Sequence, residues 1–136
     1  PWPPPPNSAG YFPGTARHTL RFDLPASVAT SKSVTLDLGD VREVAEVRLN
    51  GKPIGSAWAV PFVLDIKGGT LKPKDNLLEV EVSNLSANYM RLVDKQSPGW
   101  KKFYDINIVD IQYKPFDASK WEPMPSGLLG PVRLLY

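Results

Sequence analysis

From residue 16 onward, apolar and polar positions alternate with a period of two, the repeat of a strand with one buried face. In Arg17-His18-Thr19-Leu20-Arg21-Phe22-Asp23-Leu24 the even positions are apolar or aromatic and the odd ones polar, and Pro25 ends the run. Ser33-Val34-Thr35-Leu36-Asp37-Leu38 repeats the pattern and stops at Gly39-Asp40. Ala45, Val47 and Leu49 alternate with Glu46 and Arg48, and Asn50-Gly51 follows. That dipeptide predicts a type I′ hairpin, because both residues tolerate the positive φ the turn demands. Phe62, Leu64 and Ile66 form a further apolar face closed by Gly68-Gly69, and Leu78, Val80 and Val82 another, with Glu79 and Glu81 outside. Residues Phe103 to Tyr113 are β-rich but change phase, which predicts a bulge or a strand covered on both sides. Val132 to Tyr136 is the last predicted strand.

Seven or eight short strands separated by Gly, Pro and Asn turns predict an all-β fold, an antiparallel β-sandwich or barrel. Asp40 to Ala45 has room for one helical turn, and no helical period of useful length appears elsewhere. Two stretches read as long loops of the kind that often carry function, Leu85 to Trp100 and Lys114 to Gly130. Residues 1–10 hold the tetraproline Pro3-Pro4-Pro5-Pro6, a stiff polyproline II segment without backbone donors. They read as a linker or arm before a single domain at residues 11–136. With no initiating Met and no basic-then-apolar leader, the chain is expected to be a processed or excised piece.

Composition narrows the chemistry. The 16 basic and 14 acidic residues leave a net charge of +2, so nothing electrostatic predicts a nucleic-acid or membrane partner. No apolar run approaches the ~18 residues of a membrane span. The absence of Cys removes disulfides, thiol catalysis, zinc fingers and iron–sulfur sites. The one histidine, His18, sits on the apolar phase of a strand and reads as a core-edge residue, not as the base of a triad. Glu79 and Glu81 share a strand face with Cα atoms about 6.5–7 Å apart, near a glycosidase spacing. Nothing apolar flanks them to split their pKa values, so they read as solvated charge. Asp37 and Asp40 beside Gly39 would suit a structural calcium ion with backbone carbonyls, but a strand end plus a turn acid is the favoured reading, and no cofactor is expected. No catalytic constellation emerges.

A sugar-binding surface is within reach of these residues. Sugars offer flat C–H faces and hydroxyl rims, which aromatic plates and polar side chains recognise. Trp58, Tyr89 and Trp100 fall in or beside predicted turns with polar neighbours, and the competing role for each is a plug over the end of the core. Trp121, between Lys120 and Glu122, reads as such a plug.

The run Leu36-Asp37-Leu38-Gly39-Asp40 through Val44-Ala45-Glu46-Val47 to Asn50-Gly51-Lys52 resembles the sugar-binding-domain signature of family 2 glycoside hydrolases. The strand Leu77 to Asn84, then Asn88, and Ser126-Gly127-Leu128-Leu129-Gly130-Pro131-Val132 resemble the galactose-binding-like jelly roll at the C-terminal end of family-106 α-L-rhamnosidases. The likeness spans about residues 17–136. Where rhamnosidase-like relatives place Arg directly after the Asn, Tyr89 and Met90 here separate Asn88 from Arg91. The resemblance implies an antiparallel jelly-roll β-sandwich without catalytic residues, whose parent enzyme carries its acid and base on a separate barrel. Its expected partners are a polysaccharide or oligosaccharide and that catalytic domain, with the module itself monomeric and the enzyme extracellular or periplasmic. The candidate carbohydrate contacts are Trp58, Asn88, Tyr89, Arg91, Trp100 and Lys101, on loops at one end of the sandwich. The alternative is an accessory sandwich that supports the catalytic domain and binds no sugar.

Overall fold

The computed structural model describes residues 13–97, 99, 112 and 114–136. The element order is β1 (Thr15–Phe22), α1 (Ala26–Ala29), β2 (Ser33–Asp37), β3 (Asp40–Arg42), β4 (Val44–Leu49), β5 (Lys52–Ala57), β6 (Val63–Lys67), β7 (Asn76–Ser83), α2 (Ala87–Gln96), β8 (Gly127–Gly130) and β9 (Arg133–Leu135). The described residues fall into two compact units. One comprises Gly14–Asn84 with Ser126–Tyr136, the other Pro13 with the described part of Leu85–Pro125.

Among the described residues, the first unit holds every strand. Its sheets are β1-β7-β4-β5, β6-β2-β9 and the ribbon β3-β8, all with antiparallel pairing, as expected of an all-β sandwich. The period of two decides what is buried. In β4, Ala45, Val47 and Leu49 face inward and Glu46 and Arg48 outward; in β7, Leu78, Val80 and Val82 face inward. These side chains join Val34, Leu36, Leu38 and Ile66 in one core. Removing that surface from water, at about 25 cal/mol per Å², is the main force holding the sheets together.

Asn50 and Gly51 have φ of 53° and 77°, so the β4–β5 connection takes the two left-handed residues its sequence predicted. Along the same hairpin Val47 pairs with Gly55 but Arg48 with Pro53, so Ile54 is the extra residue of a β-bulge. Pro53 is tolerated because β5 is an edge strand.

Three sequence expectations are corrected. Asp40 to Ala45 is not a helical turn; Asp40–Arg42 enters a ladder with Gly127–Gly130, with Val41 buried there, and Val44–Ala45 begins β4. The short helical turn instead follows Pro25, where Val28 and Ala29 reach the core. Leu85 to Trp100 is not all loop, because the ten residues of α2 occupy its middle. Its Ala, Arg, Leu, Lys and Gln residues are good helix formers, and its polar Asn88, Arg91 and Asp94 have main-chain partners within the second unit. The Lys114–Gly130 stretch closes in β8. The β-rich segment 103–113, apart from Gln112, and the arm at residues 1–10 lie outside the described residues.

Candidate functional site

Among the candidate residues, Trp58 belongs to the first unit, immediately after β5, and is 74 % exposed. Leaving so large an apolar ring in water forgoes about 1.5–3 kcal/mol of burial, so Trp58 is no plug. Asn88, Tyr89 and Arg91 belong to the second unit and sit on α2, not on a loop. Trp100 and Lys101 lie outside the described residues.

Within the second unit, the polar side chains of α2 hold the main chain of the segment that follows. Asn88 Nδ2 donates to the carbonyl of Met124 at 2.8 Å, while the Met124 N–H donates to Asn88 Oδ1 at 2.8 Å. Arg91 Nε donates to the Trp121 carbonyl at 2.5 Å, and the Ala118 N–H donates to the buried Asp94 carboxylate at 2.6 Å. Asn88 is itself buried, so both ends of its amide serve the fold. Tyr89 is exposed. Trp121 packs edge-on against Phe116 with ring centroids 5.5 Å apart, yet remains 43 % exposed.

The first unit offers a concavity that the sequence reading did not find. On the outer face of β4, β5 and β7, a groove of about 190 Å³ is lined by Glu46, Arg48, Ser56, Glu79 and Glu81, with Pro53 and backbone from the bulge region. Antiparallel register builds it. Glu46 pairs with Glu81 of β7 and Ser56 of β5, while Arg48 pairs with Glu79 and Pro53. Arg17 of β1 pairs with Glu81 in turn and forms an ion pair with it. The side chains of Glu46 and Glu79 make no hydrogen bond or ion pair among the described residues. Two glutamates directly opposite each other on a sheet face cost roughly 0.2–1 kcal/mol, and Arg17 offsets only one of them. The signal that could have led here was the Glu46/Arg48 and Glu79/Glu81 pattern, but it becomes a site only once the register is known.

A second concavity, about 180 Å³, opens in the same unit among Leu20, Phe22, Leu36, Leu49 and Leu134, with Arg133 its one polar side chain. It lacks the polar groups a sugar needs.

His18 on β1 pairs with Val80 and is half-buried against Leu20, Leu78 and Leu128, which fits the core-edge reading. Burial holds its imidazole below the ordinary pKa of 6.5, because desolvation disfavours the charged form. Below about pH 6.5 the unfolded chain therefore binds more protons than the folded one, and stability falls as pH drops towards the folded pKa. Thermal unfolding at pH 7 and pH 5 should show a decline that is shallower in His18→Gln; an unchanged slope in the variant would assign the decline elsewhere. Among the described residues no group of three or more His, Asp or Glu is placed to hold a metal ion.

The architecture and the Leu-Asp-Leu-Gly to Asn-Gly-Lys run, now seen as β2, β3, β4 and their turns, agree with a family profile described as the glycosyl hydrolase 2 galactose-binding domain-like domain, which matches residues 15–122. The chain belongs to that family. A Formosa agariphila protein provisionally named a β-glucuronidase is 35 % identical over 144 residues, which cover 91 % of this chain and 12 % of that protein. The solved rhamnosidase of Novosphingobium sp. PP1Y superposes with a TM-score of 0.65 at 35 % identity, covering 91 % of this chain and 11 % of its own. The galactose-binding-like domain thus spans about a tenth of each relative's length. Both likenesses place it in the context of glycoside hydrolases.

Proposed function

We propose that the chain is the noncatalytic carbohydrate-binding module of a larger, rhamnosidase-like glycoside hydrolase, tethering the enzyme to plant-cell-wall-type glycan outside the cytoplasm. The observation that carries this reading is Trp58, a large ring left 74 % exposed on a strand-flanking position of a galactose-binding-like domain. Such a ring supplies the flat apolar plate that the C–H face of a sugar stacks on. Affinity from a single plate and a few hydroxyl contacts should be modest, with Kd about micromolar to millimolar, roughly −4 to −8 kcal/mol. Turnover is assigned to the remainder of the parent enzyme, since the two carboxylates of β7 lie on one strand face and Glu81 is ion-paired with Arg17.

Glycan-array and calorimetric binding with pectic and rhamnose-containing glycans tests the reading. The chain is expected to bind at least one such glycan and to hydrolyse no aryl-glycoside. Trp58→Ala should weaken binding by about 1–3 kcal/mol with little change in melting temperature, because the ring is mostly in water already. Binding undiminished in a folded Trp58→Ala variant would remove Trp58 from the site. A folded chain that binds no glycan would favour the accessory sandwich without a ligand.

A further inference from the structure

We infer that the groove on the outer face of β4, β5 and β7 takes a sugar of neutral charge, with the adjoining sugar of the same glycan stacked on Trp58. This rests on the carbohydrate-binding reading above and adds to it the place and the class of ligand.

The alternation of β5 sets Ser56 outward and Ala57 inward, and the exposed Trp58 follows two positions after Ser56, so their Cα atoms lie within about 7 Å. The β4–β5 pairing ends at Ala45 with Ala57, and the residues flanking that last pair, Val44 and Trp58, are both exposed. On this face the outward positions of β4, from Arg48 through Glu46 to Val44, span about 13 Å at strand rise, with Trp58 following the end of β5, the strand paired with β4. That length matches a short oligosaccharide better than a lone monosaccharide. The groove holds about 190 Å³, below the ~300–1,000 Å³ of pockets for drug-sized ligands, and offers room for one ring.

Its chemistry selects among sugars. Glu46 and Glu79 are acceptors without partners among the described residues, and each carboxylate accepts two hydroxyl donors. Arg48, one of whose terminal nitrogens reaches the Gly51 carbonyl only at 3.5 Å, supplies donors, and Ser56 supplies a hydroxyl of either sense. Vicinal hydroxyl pairs fit this lining. A uronate does not: Glu46, Glu79 and Glu81 face Arg48 and the Arg17 partner of Glu81, so the groove keeps an excess of negative charge. A carboxylate-bearing ring would meet repulsion there, screened but not abolished by salt.

The test is calorimetric titration of the whole 136-residue chain with cellobiose, lactose and a rhamnosyl-glucose, against glucuronosyl-glucose as the acidic comparator. At least one neutral disaccharide should bind, and the uronate should bind about tenfold more weakly at low salt. Glu46→Ala with Glu79→Ala should weaken neutral binding about tenfold, the loss of two charge-assisted hydrogen bonds. Glu46→Gln with Glu79→Gln, which keeps the shape, should narrow the discrimination against the uronate. Neutral binding unchanged in the folded alanine variant would overturn the groove while leaving the carbohydrate reading intact. Uronate binding equal to or stronger than neutral binding would overturn the ligand class. No binding of any disaccharide or longer glycan by the folded chain would overturn both readings together.

Discussion

Gly39→Ala is expected to lower stability by about 3–5 kcal/mol, a fall in melting temperature of roughly 10–20 °C for a chain of this size. Gly39 has φ +68°, a conformation an alanine adopts only under strain. The added Cβ would also lie 2.4 Å from the carbonyl carbon of Gly130, 2.5 Å from its oxygen and 2.7 Å from the nitrogen of Pro131. All three are backbone atoms, so no side chain can swing aside. The contact exists because Gly39 links β2 to the β3–β8 ribbon and forms an isolated bridge with Gly130, while its N–H donates to Asp37 Oδ1 at 2.8 Å. Gly51→Ala is the control, since Gly51 shares the positive φ of 77° but its added Cβ would meet nothing within 4 Å. That variant should lose only about 1 kcal/mol. Equal losses in the two variants, read by thermal circular dichroism, would show that strain and not the backbone clash decides.

Asn76→Leu should cost about 3–5 kcal/mol, though the residue is roughly the same size and opens the first position of a strand. Asn76 is fully buried, with its carboxamide as the centre of a polar network. Nδ2 donates to the carbonyls of Lys72 at 2.6 Å and Phe22 at 3.3 Å. Oδ1 accepts from the Lys72 N–H at 2.9 Å and from Asn50 Nδ2 at 3.0 Å. Asn50, held at positive φ in the hairpin, also donates to the Thr70 carbonyl and accepts from the Leu77 N–H. A leucine would strand several of these main-chain groups away from water, each at about 1–3 kcal/mol before relaxation. Urea unfolding would register the loss as a lower midpoint with an unchanged slope. A loss below about 1 kcal/mol would mean that water reaches the site and replaces the amide.

These two residues show how far the sequence can be read. The alternation in Val44–Leu49 and Leu78–Val82 places the core, since strand period and burial are both local in sequence. Asn50-Gly51 announces its hairpin for the same reason. That Asn50 also braces Asn76 is not legible, because the two meet only after β4 and β7 pair. The β3–β8 ribbon escapes for a similar cause: Asp40–Arg42 is too short for a period, and its partner lies more than eighty positions away. In α2 the buried Asn88 and Asp94 mimic loop composition, since they bind main chain where a typical helix buries apolar side chains. The candidate site divides along the same line. Trp58 is legible as an aromatic next to a turn, whereas Glu46 facing Glu81 emerges only from the register.

The most direct measurement is an amide and indole chemical-shift titration of the isotope-labelled chain with a neutral disaccharide that it binds. Binding at Trp58 and the adjoining groove predicts saturable shifts of the Trp58 indole N–H and of the amides of Val44–Arg48, Ser56–Trp58 and Glu79–Glu81, with the amide shifts saturating only at higher sugar concentration in Trp58→Ala. Saturable shifts confined to α2 around Tyr89 and Arg91 would contradict the Trp58 site, and no shifts with any glycan up to tens of millimolar (the weak end of the affinities expected of so few contacts) would contradict carbohydrate binding itself.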